Sequence, residues 1–270
     1  MNWGRAKTIL IILFLSIDVL LLCMLYVESS DVNYIKDKTA EQTAAVLNSH
    51  NISISKKQIP LKRIDKTVLF YKNPAGEPET VAKLLFENDY KTILEEGSST
   101  YKKGTETVKI DGMKIFYENG RKTSPCDSFD EVKKTVFSDL ERFGFKENQI
   151  SIENARVKNG VCVAEFKQKH EGLKVCGTEM TLEADSLGIK KLNGRWFNLE
   201  RTENTSEKLP DVTSLLVNMI YNPDYHGLEI EEIEIIYYID SEYIDGAEIY
   251  AYPVYVVKGT DKKQYILEEY

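Results

Sequence analysis

The chain contains one long apolar stretch near its start, TILIILFLSIDVLLLCMLYV, at residues 8–27. It holds 20 residues and a single charged side chain, Asp18. A helix rises about 1.5 Å per residue, so a helix of this length spans roughly 30 Å, which is the thickness of a bilayer core. The stretch therefore predicts a transmembrane helix.

The single carboxylate does not overturn this prediction. A central Asp costs about 3 kcal/mol on insertion scales, whereas each Leu, Ile, Val or Phe contributes about 0.3 to 0.6 kcal/mol in favour, and the stretch has more than a dozen of them. The alternative is a secretory signal peptide, whose apolar region is about 7 to 15 residues and ends at a small-x-small cleavage site. The run here is longer, and Leu22 precedes Cys23 where a lipoprotein site needs a small residue. These features favour an uncleaved anchor.

The flanks of the apolar stretch carry opposite charges. Two cations precede it, and Glu28 and Asp31 follow it. By the positive-inside rule, residues 1–7 form a cytoplasmic stub and the C-terminal domain is extracytoplasmic, as in a single-pass protein of the cell membrane. The residues that set this topology, with an aromatic anchor near each interface, are Trp3, Arg5, Lys7 and Tyr26.

Composition narrows the class of function outside the membrane. The whole chain has a formal net charge of −8, and its first 27 residues contribute +1, which leaves −9 for the rest. An acidic domain argues against nucleic acid as a partner. The sequence has no nucleophile motif of Ser or Cys, no Gly-rich phosphate loop and no zinc-ligand spacing. We therefore expect a non-enzymatic protein with no cofactor and no metal.

Three cysteines, Cys126, Cys162 and Cys176, follow the apolar stretch. A predicted hairpin with a four-residue loop sets Gln168 opposite Leu173, which directs Cys162 and Cys176 to opposite faces of the sheet. A disulfide cannot bridge that arrangement. The sequence therefore predicts free, mostly buried thiols.

The remaining chain alternates helical and strand patterns. A juxtamembrane helix is expected within residues 28–49, with apolar residues at helical spacing from 31 to 48. Each later helical pattern precedes a run of short strands, which is typical of an α+β fold whose helices cover one face of antiparallel meanders. The sequence TSPCD breaks the pattern and suggests a first ectodomain lobe at 50–124 and a second at 125–270. The predicted helices are 79–88, 129–143 and 211–222, and the predicted strands are 67–71, about 100, 105–110, 113–118, 150–158, 161–168, 173–182, 189–192, 230–240, 248–258 and 264–268.

Tyrosine is concentrated at the C-terminal end, where the last 34 residues hold half of all Tyr in the chain. Tyrosine fits strands and is also enriched at interfaces, so core packing and a partner surface both remain open. Pro253 cannot donate to a strand ladder, which predicts a bulge or an edge strand there. The candidate partner surface consists of Tyr250, Tyr252 and Tyr255.

Two regions carry a resemblance to a known family. At the start, the matching positions are Trp3, Arg5, Lys7, Thr8, Ile9, the apolar run and Asp18 in MNWGRAKTILIILFLSIDVLLL. Near the end, IEEIEIIYYID and YAYPVYVV are similar to a Gly-Tyr-Tyr strand followed by an Ala-x-Pro-x-Trp strand, with Ile236 in place of the usual Gly and Tyr255 in place of the usual Trp. The chain thereby resembles the YycI family, membrane-anchored regulators of the WalK (YycG) sensor histidine kinase.

The resemblance implies a function in signal transduction. It implies a YycH/YycI-like α+β ectodomain and a non-enzymatic regulator that acts with a YycH-like partner through transmembrane helices, in response to the cell wall. A homodimer is a further expectation. The alternative is an extracytoplasmic module that binds a ligand or protein and uses the helix only as an anchor.

Within the membrane, Asp18 is the candidate polar contact with kinase helices, because a carboxyl in lipid must be neutral or paired. The alternative for Asp18 is hydration near the outer interface. Helical spacing places Ile11, Leu15, Leu22 and Leu25 on its face.

Overall fold

The computed structural model describes residues 13–22, 34–72, 77–239 and 248–267. The fold is mixed α+β, with antiparallel sheets and few helices, which confirms the predicted class. Residues 13–22 are helical. Within the described ranges, no helix is both long enough and apolar enough to cross a membrane. The predicted span at 8–27 extends beyond residues 13–22 on both sides, into parts of the chain outside the description.

The helices that follow occur close to their predicted positions. Ser128 caps the helix that begins at Phe129, since its side chain accepts a hydrogen bond from the Glu131 N–H at 3.3 Å. The Glu131 carboxylate accepts from the Asp127 N–H at 3.2 Å, one residue before the position that a capping box would use. The helices are α1 (Asp37–Ser49), α2 (Pro78–Phe86), α3 (Phe129–Arg142) and α4 (Val212–Asn218).

The juxtamembrane helix begins later than the sequence predicted. Lys36 has an extended backbone before α1, and Tyr34 forms a bridge with Lys62. Helix α1 is therefore preceded by a non-helical segment at residues 34–36.

Within the described residues, nine strands form a large antiparallel sheet. Their order is β2-β3-β4-β5-β10-β9-β7-β6, with β8 paired to β7. Helix α2 packs against β3, and α3 packs against β7, β9 and β10. The ranges are β2 (Lys91–Glu95), β3 (Ser98–Lys103), β4 (Glu106–Asp111), β5 (Lys114–Asn119), β6 (Ile150–Lys158), β7 (Val161–His170), β8 (Leu173–Lys174), β9 (Met180–Asp185) and β10 (Gly188–Arg195).

The remaining described strands form a small sheet in the order β11-β1-β13-β12, with β14 paired to β13. Strand β13 has neighbours on both sides and is not an edge strand as a whole, but its pairing on one side is interrupted at Pro253. Pro253 lies between Ala251, which pairs with β1, and Tyr255, which pairs with β14. The ranges are β1 (Asp65–Lys72), β11 (Asn198–Lys208), β12 (Ile230–Ile239), β13 (Glu248–Gly259) and β14 (Gln264–Leu267).

The chain divides into two compact units, each assembled from separated stretches. The first unit comprises the described residues up to Asp65 together with 206–234 and 255–267, and in it α1 packs against α4. The second unit comprises 66–205 and 235–254 and contains the large sheet. The sequence suggested a lobe boundary near residues 123–127, and these residues lie inside the second unit.

The predicted hairpin register around β7 is wrong. His170 pairs with Leu173, so the turn has two residues, Glu171 and Gly172, both at positive φ. The chain then leaves the ladder and returns as β9, where Cys162 lies opposite Ala184. The prediction treated residues 173–182 as one continuous strand. The strand is interrupted at residues 175–178, VCGT, so every residue after the interruption has a different partner on β7 from the one predicted.

The prediction of free thiols is also wrong for two of the cysteines. Cys126 and Cys162 form a disulfide, with Cα atoms 6.5 Å apart. The Cys126 N–H donates to the Gly160 carbonyl at 3.0 Å, which fixes the chain before α3 beside the start of β7. Cys176 remains a free thiol. The two cysteines of the predicted hairpin do not pair with each other, and the disulfide joins residues 36 positions apart.

Candidate interaction surfaces

The helical segment at 13–22 is exposed at every residue. Its large apolar side chains are between 44 % and 65 % exposed, although such side chains are normally buried. The apolar side chains lie on all sides of this helical segment, so it has no continuous polar face. Contiguous exposed apolar surface is uncommon on proteins and is often a site of interaction. The side chains are Leu13, Phe14, Leu15, Ile17, Val19, Leu20, Leu21 and Leu22.

Asp18 is exposed on this segment, and Leu15 and Leu22 lie three residues before it and four residues after it. Residues at those spacings share one face of a helix. The described part of the predicted contact face is therefore formed by Leu15, Asp18 and Leu22. The other predicted contact and anchor residues, Trp3, Arg5, Lys7, Ile11, Leu25 and Tyr26, lie outside the described residues.

An aromatic patch, formed by Phe70, Arg201, Tyr238, Tyr250 and Tyr252, lies on one side of β1, β12 and β13. Phe70 and Tyr250 are register partners, and their rings meet edge to face at 5.1 Å. The Arg201 guanidinium lies over the Phe70 ring at 3.7 Å from its centre. Tyr238 and Tyr252 are in edge contact at 6.0 Å, and both Tyr250 and Tyr252 are half-buried. Aromatic and Arg side chains in this state are typical of protein interfaces.

Tyr255 does not belong to this patch, so its predicted place on a partner surface is wrong. Its side chain is 1 % exposed, and its hydroxyl has no hydrogen-bond partner among the described residues. Burial, with a smaller contribution from nearby Asp211, raises the pKa of Tyr255 to about 12. Burial also opposes the ionisation of Asp211, but Thr213 and Arg63 outweigh it and lower the pKa of that carboxyl. This cluster is part of the packing of the first unit.

A fully buried carboxylate, Asp185, was not anticipated from the sequence. It accepts hydrogen bonds from the Arg121 guanidinium at 2.7 Å and from the N–H groups of Ser124 and Leu187 at 2.9 Å each. Burial disfavours its charge, yet Arg121 and the two amides lower its pKa below the ordinary value. The interaction attaches the segment after β5 to the turn between β9 and β10. No local pattern marks it, because Arg121 and Asp185 are 64 residues apart.

In the described ranges, no group of three or more His, Cys, Asp or Glu side chains is placed to hold a metal ion. A groove of about 450 Å³ runs beside α3 and is open to solvent. Its lining includes Lys133, Lys134, Glu141 and Glu147 around Phe137. The lining therefore contains both cations and carboxylates beside one aromatic ring.

Comparisons with known proteins add little. No protein-family model matches the chain, and no curated protein matches it. Among solved structures, the chain is similar to the Bacillus megaterium YpeB C-terminal domain, with a TM-score of 0.36 and 10 % identity over 71 % of this chain and 96 % of that one. A likeness at this level is a loose fold resemblance that carries no argument about function.

Proposed function

We propose that this protein is a non-enzymatic, membrane-anchored regulator of a cell-wall-responsive sensor histidine kinase. In this proposal it is YycI-like, acts with a YycH-like partner, and influences the kinase through contacts between transmembrane helices. The observation that carries the proposal is the helical segment at 13–22, which is exposed throughout and has one carboxylate, Asp18, among apolar side chains.

The energetics of this segment favour a membrane environment. Full burial of a Leu, Ile, Val or Phe side chain is worth about 1.5 to 3 kcal/mol. Covering a segment whose side chains are about half exposed therefore releases on the order of 10 kcal/mol. Lipid can supply that cover along the whole helix, in agreement with the 20-residue apolar stretch of the sequence.

In lipid, Asp18 is the residue that gives the helix specificity. Its carboxyl must be neutral or paired there, and an interhelical hydrogen bond contributes about 0.6 to 2 kcal/mol. Leu15 and Leu22 on the same face would pack beside that bond. In this proposal, the helix is the part of the chain through which a signal to the kinase passes.

The disulfide supports an extracytoplasmic location for the rest of the chain. Disulfides form and persist mainly in oxidising compartments. The Cys126–Cys162 disulfide lies in the second unit, which follows the apolar stretch in sequence. The acidic charge of this part of the chain is compatible with that location and argues against nucleic acid as a partner.

The test is co-purification of the full chain with its WalK-type kinase from membranes. If Asp18 forms the interhelical hydrogen bond, Asp18→Leu should weaken the association about 3- to 30-fold, as expected for a loss of about 0.6 to 2 kcal/mol. Asp18→Asn keeps hydrogen-bonding capacity and should retain more of the kinase than Asp18→Leu. Leu20→Ala changes a different face and is the matched control. Unchanged co-purification in both Asp18 variants would contradict the assigned role.

A second function, an extracytoplasmic binding module, is favoured by the aromatic patch. Tyr250 and Tyr252 are half-buried aromatic side chains of the kind that dominate binding energy at interfaces, and the buried Phe70 ring packs against Tyr250. Replacing residues 8–27 with an unrelated transmembrane helix separates the two functions. Lost regulation supports transmission through the helix, whereas intact regulation assigns the active role to the extracytoplasmic part.

A further inference from the structure

Strand β2 is an exposed edge of the large sheet. Its only partner among the described strands is β3, and all five of its residues, Lys91–Glu95, are exposed. The pairing with β3 is regular, with neither a bulge nor a Pro along the strand. Ile93 is 43 % exposed and Leu94 is 73 % exposed. Proteins usually protect such edges, because the outer N–H and C=O groups and apolar side chains can pair with another strand.

The sequence of β2, KTILE, complements itself when two copies run antiparallel. If the copies are centred on Ile93, Lys91 of one lies opposite Glu95 of the other. Twofold symmetry produces this pair of opposite charges twice, and it places Thr92 opposite Leu94 and Ile93 opposite its own counterpart. Opposite charges at facing positions stabilise antiparallel strands, whereas like charges destabilise them. A parallel alignment in the same register would instead set Lys91 beside Lys91.

Lys91 also has an unfavourable neighbour within its own chain. It lies opposite Lys102 on β3, and neither Lys forms an ion pair with any residue of the described ranges. Two like charges at facing positions oppose the pairing of their strands. A carboxylate on the outer side of β2 would offset this repulsion, and Glu95 of a second copy occupies that position in the antiparallel arrangement.

From these observations we propose that β2 pairs with β2 of a second copy of this chain, antiparallel and about a twofold axis at Ile93. The large sheet then continues from one protomer into its partner. A strand that matches both ends of β2 has a carboxylate opposite Lys91 and a cation opposite Glu95. A second copy of β2, running antiparallel, has its charges in that order, and we therefore take it as the occupant. The interface is isologous and closes at two copies. It does not depend on the proposed kinase partner.

Disulfide trapping of the full chain in membranes tests the axis directly. Cys23→Ser and Cys176→Ser remove the two other thiols, and Ile93→Cys is added. Facing residues in antiparallel strands have Cα atoms about 4.5 to 5.5 Å apart, within the range of a disulfide. Oxidation should therefore give a product of twice the monomer mass. Thr100→Cys is the matched control, since Thr100 faces Ile93 one strand further in and lies roughly 14 Å from its counterpart.

A charge exchange tests the register. Lys91→Glu alone, or Glu95→Lys alone, places like charges opposite each other twice and should lower the trapped fraction at least about fivefold. The double variant Lys91→Glu, Glu95→Lys restores opposite charges and should restore trapping. The proposal is overturned if Ile93→Cys gives no dimer, if it traps a different protein, if Thr100→Cys traps equally well, or if the double variant is not rescued.

Discussion

Removing the disulfide by Cys126→Ala together with Cys162→Ala should lower the stability of the domain by about 4 kcal/mol. The bond joins residues 36 positions apart, and the chain-entropy relation for a loop of that length gives this value at 25 °C. Both side chains are buried, at 2 % and 0 % exposure, so Ala at either position leaves no charged or strongly polar group without a partner.

The corresponding fall in melting temperature is large enough to measure without ambiguity. A change of 1 kcal/mol shifts the midpoint by about 2 to 4 °C for a domain of 150 to 250 residues, so the double variant should melt about 8 to 16 °C below the wild type. The assay is thermal unfolding of the full chain in detergent, followed by circular dichroism. Reductant should lower the wild-type midpoint towards that of the variant and should leave the variant unchanged.

Cys176→Ala is the matched control, because this thiol is free and half-buried and should shift the midpoint by only a few degrees. A double variant that melts within about 2 °C of the wild type would show that the Cys126–Cys162 bond does not stabilise the domain as expected. So would an equal loss in Cys176→Ala, since it would show that the effect comes from losing a buried side chain and not from opening the loop.

Two further predictions concern buried polar groups. Asp185→Asn should cost about 3 kcal/mol at pH 7, because it leaves Arg121 without its carboxylate. The pKa of Asp185 is lower in the folded state, so its contribution to the free energy of unfolding is complete above the unfolded pKa of about 3.9. That contribution disappears as the pH falls through the folded-state pKa. The difference in stability between wild type and variant should therefore narrow in acid unfolding curves below about pH 4. A constant gap across that range would contradict the assignment. Tyr255→Phe removes a buried hydroxyl that has no partner among the described residues, so urea unfolding should show unchanged stability or a gain of about 1 kcal/mol, and a loss above about 2 kcal/mol would indicate an undetected partner.

Elements with a strong local signal were predictable from the sequence. Helix α3 has apolar residues at helical spacing, Ser128 as its cap and Gly144 at positive φ after its end, and the prediction of 129–143 is close to Phe129–Arg142. Strand β6 has the predicted bounds. In both cases the neighbouring residues alone define the element.

Elements that depend on distant residues were not predictable in this way. Strand β11, NLERTENTSEK, is polar on both faces and almost fully exposed, so it lacks the alternation of apolar residues by which strands are recognised. It is held by pairing with β1, which lies far away in sequence. The partners of Cys126 and Asp185 are likewise set by the order of strands in the large sheet, which local patterns do not specify.

The tyrosine prediction shows what strand geometry adds. Side chains alternate between the two faces of a strand, so Tyr250 and Tyr252 share one face and Tyr255 belongs to the other. The structure has the first two half-buried in the aromatic patch and the third in the core. Parity along β13 alone would have separated Tyr255 from the candidate surface.

The most direct test of the proposed function is site-specific photo-crosslinking from the apolar segment of the full chain in membranes that contain its kinase. A photoreactive residue is placed at position 15, 18 or 22 on the Asp18 face, and at position 20 on a different face as the control. We expect a covalent adduct with the sensor kinase from the three face positions and much less from position 20. Adducts with lipid alone, or equal kinase adducts from all four positions, would contradict a specific helix contact centred on Asp18.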